Sequence, residues 1–156
     1  MSNTANNGIS IFGLGYVGAV TAACLAERGF RVLGVDVNPA KVEMINAGVT
    51  PIVEEKIGDI IKDVVQDNRL TATVDVQQAI AETNSSLICV GTPSRANGDL
   101  ELTYVKRVAE QIGAALASKD EYHTVILRST VLPGTTEDLV QPILEEFSGK
   151  QVGKDF

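Results

Sequence analysis

Gly13-Leu14-Gly15-Tyr16-Val17-Gly18 lies between an apolar run, Ile9-Ser10-Ile11-Phe12, and a run of small residues that reaches Ala26. This reads as strand, tight turn and helix. Each glycine has its own task there. Gly13 permits the turn, Gly15 lets a pyrophosphate approach the backbone, and Gly18 lets helix and strand pack closely. The N-terminus of the helix supplies unpaired N–H groups and partial positive charge for an anion. A second strand, Arg31-Val32-Leu33-Gly34-Val35, runs into Asp36. An acidic residue about 20 positions beyond the glycines belongs to the dinucleotide fingerprint. Its carboxylate accepts hydrogen bonds from ribose hydroxyls and repels a 2′-phosphate. The expected cofactor is therefore NAD rather than NADP.

The rest of the chain alternates in the same way. Strands are expected over 9–12, 31–35, 70–74, 86–90 and 124–127, with an extra helix after the second strand. The first helix, about 17–28, has no charge before Glu27 and is expected to be buried on most sides. Asn38-Pro39 caps the second helix, and Ile57, Ile60, Ile61, Val64 and Val65 mark one face of the third. Leu102, Val105, Val108, Ala109, Ile112 and Leu116 stripe a later helix. Leu139, Val140, Ile143, Leu144 and Phe147 mark the last. Such alternation builds an α/β fold, a Rossmann-type doubly wound parallel sheet with helices on both faces. The expected strand order is 3-2-1-4-5-6, with the sixth strand truncated because 151–156 could at most begin it. Strand five would then be an edge, which favours self-association.

Totals narrow the function further. The chain has 156 residues, the size of one domain, and 44% of them are apolar, enough for a core. Its net charge is −7 and it has no basic cluster, so neither nucleic acid nor an anionic membrane is an expected partner. No apolar run is long enough to cross a bilayer, and residues 1–7 read as a disordered polar leader without a signal-peptide core. A cytoplasmic setting follows by default. Cys24 and Cys89 sit in apolar stretches without metal-ligand spacing and read as buried, reduced thiols. No metal is expected. His123, the only histidine, falls at the base of its strand, away from the ligand end.

Ligands of such sheets bind beyond the carboxyl ends of the strands. The segments that reach that edge are 13–18, Asp36, Gly91-Thr92-Pro93 and Ser129-Thr130. Thr92 and Thr130 offer neutral hydroxyls to a ribose or carboxamide, or simply cap their strand ends. Lys41 is either a surface lysine or a contact to the adenosine ribose or a phosphate. Arg128 is either a substrate contact or structurally paired. No His, Lys or Cys after strand four makes a convincing base, so the chain is expected to hold a cofactor and to be inactive alone.

Four segments carry a resemblance: 11–18, Gly34-Val35-Asp36, Cys89-Val90-Gly91-Thr92-Pro93 and 128–135. Together they resemble the nucleotide-sugar 6-dehydrogenases over nearly the whole chain from Gly8. The loop Gly91-Thr92-Pro93-Ser94 with Asn97-Gly98-Asp99-Leu100-Glu101-Leu102 is most similar to the branch that acts on GDP-mannose. Dehydrogenases of UDP-glucose tend to differ there. The resemblance implies a polypeptide about two to three times longer, with 8–156 as its NAD-binding domain and a sugar-binding domain absent here. It implies oxidation of a sugar C6 alcohol to a carboxylate with two NAD, through a cysteine that neither Cys24 nor Cys89 matches. It implies polysaccharide biosynthesis as the setting and a homo-oligomer at full length. The implied NAD contacts are the backbone of Tyr16 and Val17, with Asp36, Lys41, Thr92 and Thr130, the last also near the reacting carbon. The family usually has Pro-Gly after the glutamate that follows Pro51. Here Glu54 precedes Glu55-Lys56, which puts the start of the third helix in question. A reading from another class is a stand-alone module that senses NAD or NADH.

Overall fold

The computed structural model describes residues 8–54 and 56–156. The leader expected over 1–7 and the departure at Glu55 lie outside them. The chain begins with β1 (Gly8–Phe12), α1 (Tyr16–Glu27), β2 (Arg31–Val35), α2 (Pro39–Asn46) and α3 (Ile57–Gln66). It continues with β3 (Leu70–Thr73), α4 (Val76–Glu82), β4 (Ser85–Ile88), α5 (Thr103–Leu116), β5 (Thr124–Leu127) and α6 (Gln141–Ser148). The sheet order is β3-β2-β1-β4-β5, and all four pairings are parallel. The doubly wound arrangement and its order are as expected.

Alternation along each strand divides the core in two. Phe12, Val35 and Ile88 face α4, α5 and α6, where Val105, Ile112 and Leu144 are buried. Ile11, Val32 and Leu70 face α1, α2 and α3, where Ala22, Ile45 and Ile61 are buried. The apolar stripe of α3 therefore docks as its spacing predicts, and the helix forms from Ile57 without a side-chain cap. Caps elsewhere follow the sequence. Asn38 accepts from the Ala40 N–H, and Asp75 from the Gln78 N–H.

The register sets the level of the functional edge. Phe12 pairs with both Val35 and Ile88, Val35 with Thr73, and Ile88 with Leu127. Those five residues form one row across the sheet. The next residue on each strand is then Val74, Asp36, Gly13, Cys89 or Arg128, and the ligand end of the sheet is built from these.

Two expectations are corrected. The first helix is not buried on most sides. Its alanine face, Ala19, Ala22, Ala23 and Ala26, packs inward, while Tyr16, Val17 and Cys24 stay exposed. The small side chains form the fully buried face, and Val20 and Leu25 beside it are only partly buried. Cys24 is accordingly an exposed free thiol, whereas Cys89 is buried. Residues 151–156, which could at most begin a sixth strand, lie outside the sheet. They form a turn closed by Gly153 N–H to the Phe156 carbonyl, and the Phe156 ring enters the core beside α5 and α6. Before α6 the chain makes a π-helical turn, Thr136–Val140. Pro142, at the start of α6, has no N–H to return to the Asp138 carbonyl, and the turn widens there. β5 is an edge of the sheet, with Ile126 exposed. Among the described residues no helix is long and apolar enough to cross a membrane.

At the opposite end of the sheet lies a buried polar chain. Thr83 Oγ1 donates to Ser10 Oγ, which meets Ser86 Oγ at 2.6 Å, and Ser86 Oγ meets His123 Nε2 at 2.7 Å. His123 is fully buried, and its Nδ1 has no hydrogen-bond partner among the described residues. Burial, and then the nearby Lys119 ammonium, pull the imidazole down to about 4. The folded chain thus holds His123 neutral where the unfolded chain would protonate it. Its contribution is fully present above about pH 6.5 and is lost as pH falls toward 4, at ~1.4 kcal/mol per pH unit and ~3 kcal/mol in all. Denaturant unfolding of the chain and of His123→Gln, between those pH values, should show the variant losing less stability on acidification. Equal slopes would mean that His123 does not carry this acid sensitivity.

Candidate dinucleotide site

The glycine turn behaves as its three positions require. Gly13 takes a φ of +97°, and its N–H donates to the Val35 carbonyl at 2.8 Å. A methyl group at residue 18 would stand 1.7 Å from the Gly13 carbonyl oxygen, so α1 can start only with glycine there. A methyl at Gly15 would meet nothing within 4 Å. The space over Gly15 is open. The first helical N–H to find a carbonyl in α1 is that of Ala19, on Gly15 at 2.9 Å. The N–H groups of Tyr16 and Val17 precede it and lack an intrahelical acceptor. Gly15 is the N-cap and brings no side chain to them, and the first turn holds no acid.

Asp36 is fixed by the same turn. Its Oδ2 accepts the Leu14 N–H at 2.7 Å, and its Oδ1 accepts the Asn38 N–H at 2.9 Å. The Lys41 ammonium reaches Oδ2 at 3.4 Å. Asp36 is 9% exposed; Oδ2 is engaged by Leu14 and Lys41, and Oδ1, with one partner, keeps a lone pair for an incoming hydroxyl.

Two recesses open along this edge. One, of about 450 Å³, is lined by Gly13, Gly15, Asp36 and Lys41 together with apolar walls at Val37, Val74 and Val108. The other, of about 230 Å³, is lined by Gly15, Tyr16, Val17, Thr92, Arg128 and Thr130. Both include Gly15, Cys89, Val90 and Gly91, so they form one groove that passes over the glycine turn. All the sequence-predicted site residues line it except Gly18, which lies beneath. Across the second recess Thr92 Oγ1 donates to the Thr130 carbonyl at 2.6 Å, and Ser129 Oγ donates to that of Val90 at 2.6 Å. These bonds tie the ends of β4 and β5 together.

Sequence reasoning missed the walls of the larger recess. Val37 is 87% exposed, immediately after the acid, and Val74 stands one residue beyond β3. Tyr104, Arg107, Val108 and Gln111 complete the wall from α5. Their spacing marks a second face of that helix, beside the core stripe, and was visible in the sequence. Among the described residues no group of three or more His, Cys, Asp or Glu could hold a metal.

The residues fit a dinucleotide. Open space over Gly15, free helix N–H groups and a carboxylate with Oδ1 still able to accept, at one end of an apolar recess, match its diphosphate, ribose and base in order. A sheet wound in this order around such a groove is the architecture of dinucleotide-binding domains. The chain belongs to the UDP-glucose/GDP-mannose dehydrogenase family as its NAD binding domain, with residues 7–156 matched. It is 57% identical to the GDP-mannose 6-dehydrogenase of Azotobacter vinelandii over 148 residues, covering 95% of this chain and 34% of that enzyme. It is 41% identical to a UDP-glucose 6-dehydrogenase of Haloferax volcanii over 145 residues, covering 93% of this chain and 33% of that enzyme. The crystal structure of a ternary complex of GDP-mannose dehydrogenase from Pseudomonas aeruginosa superposes with a TM-score of 0.93 at 51% identity, over 95% of this chain and 34% of that one. The chain thus spans about a third of the length of the relatives it matches.

Proposed function

We propose that this chain is the cofactor half of a nucleotide-sugar 6-dehydrogenase, and that the whole enzyme oxidises the C6 alcohol of GDP-mannose to the carboxylate with two NAD. NAD, when bound, accepts hydride from the sugar carbon. The chain's own residues hold it for that step. Asp36 accepts from the adenosine ribose hydroxyls, with Lys41 beside it. The Tyr16 and Val17 N–H groups meet the diphosphate over Gly15. Thr92 and Thr130 face the nicotinamide half, with Thr130 near the reacting carbon. No His, Lys or Cys after β4 makes a convincing base at the nicotinamide end, so the chain alone is expected to be inactive. The single observation that carries the cofactor assignment is the Asp36 carboxylate, fixed by the Leu14 N–H at 2.7 Å beside an open glycine turn. The choice of GDP-mannose is supported by the higher identity to GDP-mannose 6-dehydrogenases, 57% against 41% for the UDP-glucose enzyme.

A homo-oligomer is the expected state of the full-length protein. A cytoplasmic setting suits two free cysteines. The substrate is tested with the longer polypeptide that carries this domain, by following NADH formation. GDP-mannose should be turned over in preference to UDP-glucose, and the reverse preference would move the enzyme to the UDP-sugar branch.

A further inference from the structure

Charge is unevenly placed along the groove. In the larger recess Asp36 is paired with Lys41, and Arg107 stands on the α5 wall. In the smaller recess, beside the glycine turn, Arg128 is the only charged residue among those that line it. It follows the last residue of β5 and so stands level with Gly13 and Cys89 in the row set by the strand register. Its backbone is fixed there by its own N–H on the Ile88 carbonyl at 2.9 Å. Its guanidinium makes no hydrogen bond or ion pair with the described residues. Its field does reach the Cys89 thiol, where it opposes the upward push of burial. An exposed, unpartnered guanidinium beside an uncapped helix N-terminus is a place for a doubly negative group.

We propose that Arg128 is a cofactor-positioning residue that binds the dinucleotide's diphosphate from the β5 side, across the groove from the N–H groups of Tyr16 and Val17. This rests on the cofactor reading above. The glycine turn supplies neutral donors only, and a fixed dipole leaves much of a diphosphate's charge uncompensated. Arg128 supplies the missing cation, and its planar fork can hold two oxygens at once. The nucleotide sugar also carries a diphosphate, so the test uses NAD alone.

NAD is titrated calorimetrically into the wild-type chain, Arg128→Gln and Arg128→Lys, at salt concentrations from about 50 to 500 mM, with a thermal melt of each. Arg128→Gln should weaken NAD by about tenfold at low salt, with an unchanged melting temperature. It should also flatten the salt dependence, because one screened ion pair is gone. Arg128→Lys should recover most of the affinity and the salt slope. NAD affinity in Arg128→Gln within about twofold of wild type would overturn the assignment and leave the guanidinium to another anion, such as the sugar nucleotide. A loss equal at all salt concentrations, accompanied by a lower melting temperature, would overturn it in favour of a structural role. Failure of the wild-type chain itself to bind NAD would overturn the cofactor reading, and this inference with it.

Discussion

Gly18→Ala should cost this chain both its fold and its groove, whereas Gly15→Ala should cost it only the groove. At residue 18 a methyl group would lie 1.7 Å from the Gly13 oxygen, a backbone atom with no freedom to move aside. Either the turn opens or α1 shifts away from the sheet. Overpacking of this kind costs about 3 kcal/mol, a large share of a domain's marginal stability. NAD binding should disappear with the displaced turn. Gly15 differs in every respect that matters. Its φ is −77°, open to any residue, and a methyl there touches nothing within 4 Å. The fold should therefore accept alanine with its melting temperature unchanged. The methyl would project into the space over the turn, and NAD affinity should drop by about tenfold or more. Thermal melts and NAD titrations of the two variants check the pair. If Gly15→Ala bound NAD as tightly as wild type, the open space over the turn would not be the phosphate site.

Asp36→Ala should remove most of the preference for NAD over NADP. The carboxylate accepts the Leu14 N–H at 2.7 Å and the Asn38 N–H at 2.9 Å, and it repels any phosphate placed on the ribose. Without it the Lys41 ammonium loses its partner and faces the ribose pocket alone. NAD should weaken by about tenfold as hydroxyl acceptors are lost, and NADP should weaken less or gain. Stability should fall as well, because two backbone donors lose their acceptor in a nearly buried place. Paired titrations with NAD and NADP measure the first effect, and denaturant unfolding the second. An unchanged ratio of the two affinities would show that Asp36 holds the turn together without reading the ribose.

Much of this was legible in the sequence, for local reasons. A strand, a glycine turn, an alanine-faced helix and a second strand ending in an acid are written within 9–36, and each reports on its neighbours. Strand order followed from the right-handed crossovers that such alternation demands. The apolar walls at Val37 and Val74 were harder to find, since an exposed valine at a strand end looks like any surface residue until the sheet brings two together. The face of α5 at Tyr104, Arg107 and Gln111 was hidden by the stronger core stripe beside it. Cys24 was misplaced because a helix without charges reads as buried, whatever its width. The buried Ser10, Ser86 and His123 chain depends on strand register, and so on contacts 37 or more residues apart. The burial of the Phe156 ring was not foreseen, because it comes from a turn that local pattern does not announce.

Calorimetric titration of the unmodified chain with NAD and with NADP is the most direct measurement. Saturable NAD binding, with NADP at least about tenfold weaker, is the expected result. Equal binding of both, or none of either, would contradict the assignment of the groove over Gly15 and Asp36 as a site for NAD.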